Sequence, residues 1–111
     1  TRHSVWVFDR ASGALLARHR VFPTEVASLA WTPDGAALVV GLNGREGLRL
    51  LRVADGALLH AETGTEGATL RLAVHPDGRV AGLSFVVGPD GPLYGSVLRT
   101  YALRGTGLVP V

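Results

Sequence analysis

The stretch "SLAWTPDGAALVVG", residues 28–41, sets a Pro-Asp-Gly turn between two apolar runs, and "RLAVHPDGRVAGLS", residues 71–84, repeats the phrase. In each, Pro presets φ, Asp bonds to the backbone ahead of it and Gly accepts positive φ, so the phrase reads as a hairpin of two strands. Pro33-Asp34-Gly35 and Pro76-Asp77-Gly78 lie 43 residues apart, and Gly13 of "SGALLA" and Gly56 of "DGALLH" share that spacing. Two independent turns in one register define a repeating unit. The structural turn positions are therefore Gly13, Asp34, Gly35, Gly56, Asp77 and Gly78. A third copy drifts: "LRTYALRGTGLV" fits if Gly107 takes the place of Gly56, 51 residues on, and the surplus is assigned to a lengthened loop around "FVVGPDGPLYG".

Ten short strands follow from this punctuation, near 4–9, 14–20, 26–32, 36–42, 47–53, 57–61, 69–75, 79–87, 95–103 and 107–111, with no helical period of useful length. The fold class is all-β. The run "ALVVGL" does not alternate, as expected of a strand packed on both faces. "GALLARHR" instead ends with Arg18 and Arg20 on one face, where charge on an outer strand discourages edge pairing. Trp31, Leu38, Val39, Val40, Leu72 and Val74 are the expected core, and Trp6, Phe8 and Phe85 are also read as packing residues.

The composition agrees with a globular, turn-rich chain: 111 residues, 47% hydrophobic, with 15 Gly and 6 Pro. All the basic residues are Arg, which points to GC-rich coding and a bacterial-like composition rather than to a binding function. No apolar run approaches the roughly 20 residues of a spanning helix, so the chain reads as soluble, with no membrane partner. There is no Cys, which excludes disulfides and thiolate metal sites; the compartment stays open, with the cytoplasm favoured. There is no Met either, so the chain reads as processed or as excised from a longer polypeptide.

Motifs for chemistry are missing. His3, His19, His60 and His75 are scattered without HExxH spacing, and Ser28, Ser84 and Ser96 lack a GxSxG setting. "GLNGREG" has no P-loop Lys and reads as a hairpin turn. The expectation is no catalytic residue, no metal and no cofactor. A formal charge of only +2, with Arg spread over several strands, also argues against nucleic acid.

The unit "VASLAWTPDGAALVVGLNGREGLRLLRVADGALL", residues 26–59, resembles a blade of a WD-repeat or closely related β-propeller. Trp31, Pro33, Asp34, Gly35 and Gly56 fit its pattern, and Phe8-Asp9 stands at the Trp-Asp position. Leu51-Arg52 departs from it, and the Gly-His dipeptide that precedes the first strand is absent, so the family's buried polar tetrad cannot form in its usual way. The resemblance implies four-stranded antiparallel blades, with units at about 1–25 (partial), 26–67 and 68–111, and an antiparallel β-sandwich as the alternative. Two and a half units close no ring. Further blades, and the two strands missing ahead of residue 4, are expected upstream or on a neighbouring chain, and the isolated chain should associate, aggregate or partly unfold.

The resemblance implies a protein-protein interaction platform, the alternative being the propeller portion of a hydrolase or peptidase whose catalytic residues lie outside these residues. The segments 21–25, 43–47, 62–68 and 88–95 fall at one end of the strands. They carry Glu25, Glu46, Glu62, Glu66 and Asp90 against Arg45 alone, with Tyr94 as a possible anchor. A protein or peptide partner, cationic by complementarity, is expected there.

Overall fold

The computed structural model describes residues 4–20, 24–43, 47–62, 69–87 and 93–111. Ten strands follow in order: β1 (Ser4–Phe8), β2 (Leu15–Arg20), β3 (Val26–Trp31), β4 (Ala37–Leu42), β5 (Leu48–Arg52), β6 (Leu58–Glu62), β7 (Thr69–Val74), β8 (Arg79–Val87), β9 (Leu93–Arg104) and β10 (Gly107–Pro110). No helix occurs among the described residues, and none is long and apolar enough to cross a membrane. The chain is all-β. Its strands form a two-stranded sheet β1-β2 and two four-stranded antiparallel meanders, β3-β4-β5-β6 and β7-β8-β9-β10.

The two Pro-Asp-Gly turns are built alike. Gly35 N–H donates to the Thr32 carbonyl and Gly78 N–H to the His75 carbonyl, both at 2.9 Å, with φ of 72° and 95° at the two glycines. Asp34 Oδ1 accepts the Ala36 N–H and Asp77 Oδ1 the Arg79 N–H, each at 3.0 Å. The second turn is one residue shorter, because His75 N–H reaches the carbonyl of Arg79 while Thr32 N–H reaches that of Ala37. Past the turn the repeat offset therefore falls by one, and Leu38 corresponds to Val80: each faces the residue that ends the preceding strand, Trp31 and Val74.

The central sheet is covered on both faces, which is why β4 reads as an unbroken apolar run. Leu38, Val40, Leu42 and Leu51 pack on Val5 and Val7 of the first sheet. Ala37, Val39, Leu48 and Leu50 pack on Val80, Tyr101 and Leu108 of the third. All six residues of β4 are buried. Strand alternation thus sends successive side chains into two different cores.

Leu38, Val39 and Val40 are buried as expected, and Leu72 and Val74 are partly buried against the second core. Trp31 is a correction: it is 50% exposed. It shares the face of Leu38, which looks toward the first sheet, and among the described residues that sheet has two strands to cover four. Trp6 and Phe8 are likewise exposed rather than packed, because β1 turns Val5 and Val7 inward and its alternate residues outward. On that outer face Trp6 meets Phe8 and the Arg18 guanidinium, 5.5 Å from its ring centroid.

The third unit departs from expectation in two further ways. The positive-φ glycine of its last hairpin is Gly105, not Gly107, since Gly107 pairs with Arg104 across a two-residue turn. The surplus residues lengthen the strands and not the connection: β8 runs nine residues and β9 twelve, paired as far as Val87 and Leu93, and residues 88–92 between them lie outside the described residues.

Candidate functional site: the acidic strand end

The meander order fixes which connections share an end. A groove of about 710 Å³ is lined by Pro33, Asp34 and Gly35 of one sheet and Pro76, Asp77 and Gly78 of the next. The two sheets therefore stand the same way up, with their Pro-Asp-Gly turns at one end. Glu25, Asn43 and Glu62 of the central sheet lie at the opposite end, where the third sheet brings the start of β7 and the far part of the β8–β9 hairpin. That hairpin extends β8 three residues beyond the length of β4, roughly 10 Å of added arm at about 3.3 Å per residue.

Of the acidic residues read from the sequence, two lie among the described residues. Glu25 is tied to the strand end beside it: its carbonyl accepts the Asn43 N–H at 3.0 Å, and its Oε2 accepts from Asn43 Nδ2 at 3.2 Å. Glu62 is the last residue of β6 rather than a loop residue, and its Oε1 lies 2.8 Å from His60 Nε2. Both side chains are about one quarter exposed, and their positions opposite Leu48 and Leu50 place them on the face turned to the third sheet.

Across that seam stands Tyr101, buried in the second core. Burial holds its phenol above the ordinary tyrosine range; Arg99 pulls it the other way and Glu62 pushes it further up. Arg99 Nε is buried with no hydrogen-bond partner among the described residues. Glu62, His60, Tyr101 and Arg99 thus make a polar seam between the second and third sheets, which sequence reasoning missed because its members come from strands 40 residues apart with no shared motif.

Arg45, Glu46, Glu66 and Asp90 lie outside the described residues. Tyr94 lies on β9 near the tip of the long hairpin. The structure thus brings Glu25 and Glu62 to one end of the central sheet.

The opposite end carries Asp9, partly buried, and Asp34, Asp55 and Asp77, exposed, all at turns. Each carboxyl is held below the ordinary aspartate range, chiefly by hydrogen bonds from the turn itself: Ser12, Ala36, Ala57 and Arg79. Those bonds occupy the carboxylates with the backbone. No cluster of three or more metal-ligating side chains occurs among the described residues. Comparison with models of known protein families and with curated proteins finds no significant match to this chain.

Proposed function

We propose that the chain is a segment of a WD-repeat-like β-propeller acting as a protein interaction platform, with a cationic protein or peptide received at the acidic strand end. The observation carrying this reading is the stacking of two four-stranded meanders the same way up, which gathers Glu25, Asn43, Glu62 and the β8–β9 arm at one end. Rigid sheets presenting polar connections are a suitable platform, since loops carry recognition while the strands fix their spacing. Further sheets belong to the same reading. Leu98 is 66% exposed on the outer face of the third sheet, whereas Leu48, its counterpart in β5, is 1% exposed because another sheet covers it.

A fluorescent peptide of alternating Arg and Ser residues, titrated at low and moderate salt, tests the site. Binding should weaken with salt, and NMR shifts should map to Glu25, Asn43, Glu62 and the β8–β9 arm. Exchanging Glu62 and Glu66 together for Gln should slow association while the fold is kept. Shifts confined to the Pro-Asp-Gly end, or binding unchanged in the double variant, would refute the assignment.

A further inference from the structure

We propose that the groove between the Pro-Asp-Gly turns of the second and third sheets binds a small organic cation with an aliphatic body, whose charge is held by Asp34. The cavity is the first observation. It measures about 710 Å³, inside the roughly 300–1,000 Å³ range of small-molecule sites. Its floor is apolar: Ala37 and Leu50 belong to the core between the two sheets, and Leu59 and Leu103 pack against that core. Its rim is made by the turns that join β3 to β4, β5 to β6, β7 to β8 and β9 to β10. Within each sheet the rim elements are tied together, Val53 N–H donating to the Ala36 carbonyl at 3.0 Å and Leu103 N–H to the Gly78 carbonyl at 2.9 Å. The groove is therefore formed before a ligand enters.

The second observation is a difference between the two equivalent turns. In both, the aspartate Oδ1 accepts the N–H two residues on, from Ala36 at Asp34 and from Arg79 at Asp77. At Asp77 the side chain of that residue also folds back, and Arg79 Nε donates to Asp77 Oδ2 at 2.8 Å. Ala36 has no such group to return. Asp34 Oδ1 also accepts from Thr32 Oγ1 at 2.8 Å, and among the described residues no cation pairs with this carboxylate. The remaining charged residue of the rim, Arg52, is paired with Asp55 at 3.1 Å. Asp34 thus leaves one uncompensated negative charge above an apolar floor.

The internal precedent states the ligand's chemistry. A cation at Asp34 Oδ2 takes the place that the Arg79 guanidinium takes on Asp77, and its aliphatic body lies on Leu59 and Leu103. Both parts are needed. An exposed ion pair alone is weak, and the burial of an aliphatic chain supplies the larger share of the affinity. An anion with the same chain meets repulsion from Asp34 instead. The site lies at the end opposite Glu25 and Glu62 and is independent of the reading of that acidic end.

Octylammonium, octanoate and ethylammonium, titrated separately into the full chain and followed by amide NMR shifts, test the site. Octylammonium should move the signals of Thr32, Ala37, Leu59 and Leu103 along a saturable curve, while octanoate and ethylammonium should not. Asp34→Asn, which keeps an Oδ1 acceptor for the turn, should weaken octylammonium by about two- to fivefold, the range of an exposed ion pair. Ala36→Arg supplies the side chain that the second turn already has and should weaken it at least as far. Both positions are exposed, so the variants should keep the dispersed amide spectrum of the folded chain. The proposal is overturned if octanoate binds as tightly, if either variant binds octylammonium unchanged, or if the shifts spread equally to Trp6 and Leu98 as general adhesion to exposed apolar faces. Glu62→Gln should leave the octylammonium titration unchanged; a loss there would place the cation at the acidic end and overturn the assignment to Asp34.

Discussion

The imidazole of His19 lies against the α-carbon of Gly56, and its Nε2 donates to the Val53 carbonyl at 2.8 Å, so the edge of the first sheet is pinned to a turn of the second. A Cβ at Gly56 would collide with that ring. At Gly107 a histidine of the preceding sheet also lies nearby, but His60 holds the repeat position of Ala17 and would meet a Cβ only at ordinary contact distance, 3.5 Å. The steric conflict is therefore particular to Gly56, and in the third unit the positive-φ position is Gly105.

Gly56 and Gly13 have φ of 74° and 76° but different surroundings, since nothing approaches Gly13 within 4 Å. Gly13→Ala should cost about 1 kcal/mol from backbone strain alone. Gly56→Ala should cost about 1–3 kcal/mol more, because the ring must give way as well. Urea denaturation of both variants measures the difference. His19→Ala should relieve part of the Gly56→Ala penalty, and strict additivity of the two changes would show that the contact carries no energy.

Burial predicts a second contrast. Leu50→Ala, in the core between the second and third sheets, should cost about 2–5 kcal/mol, while Trp31→Ala at the half-exposed edge should cost well under the roughly 3–5 kcal/mol of a fully buried tryptophan. Calorimetry on the two variants orders them; a Trp31 variant as damaged as the Leu50 variant would mean that the indole is covered in solution.

The turn aspartates set the acid limit. Asp9, Asp34, Asp55 and Asp77 have folded pKa values below their unfolded value near 3.8, so their stabilisation is present above that pH and is lost as pH falls through the lowered folded values. Stability should therefore fall below about pH 4, and the slope should flatten when Asp34 and Asp77 are both changed to Ala. An unchanged acid limb in that double variant would place the loss elsewhere.

Association is expected through the outer faces, where Trp6, Phe8 and Leu98 stand exposed. Light scattering should give a mass above 11.6 kDa that grows with concentration, and Leu98→Arg with Phe8→Arg should lower it. A compact monomer at every concentration would argue that these faces tolerate water.

Strand positions and the Pro-Asp-Gly turns were legible because local chemistry dictates them: Pro, Asp and Gly act within four residues of themselves. The double-sided burial of β4 was legible from its lost alternation. Exposure of Trp31, Trp6 and Phe8 was not, because burial depends on how many strands the adjoining sheet contributes. No residue near Trp31 encodes that. The long β8–β9 hairpin was hidden for a related reason: the turn signals in "FVVGPDGPLYG" mask flanking residues whose apolar, aromatic character favours extended pairing. The Glu62–Tyr101 seam depends on stacking and has no sequence signal of its own.

Every hydrogen-bonded strand pair among the described residues joins neighbours along the sequence. No strand has to search the chain for a remote mate, and each hairpin can close within microseconds. Cooperativity must then come from the sheet-to-sheet cores, as in arrays whose units communicate only with the next. Amides of β4 and β5, covered on both sides, should exchange last with deuterium, and those of β2 and β10, at sheet edges, first.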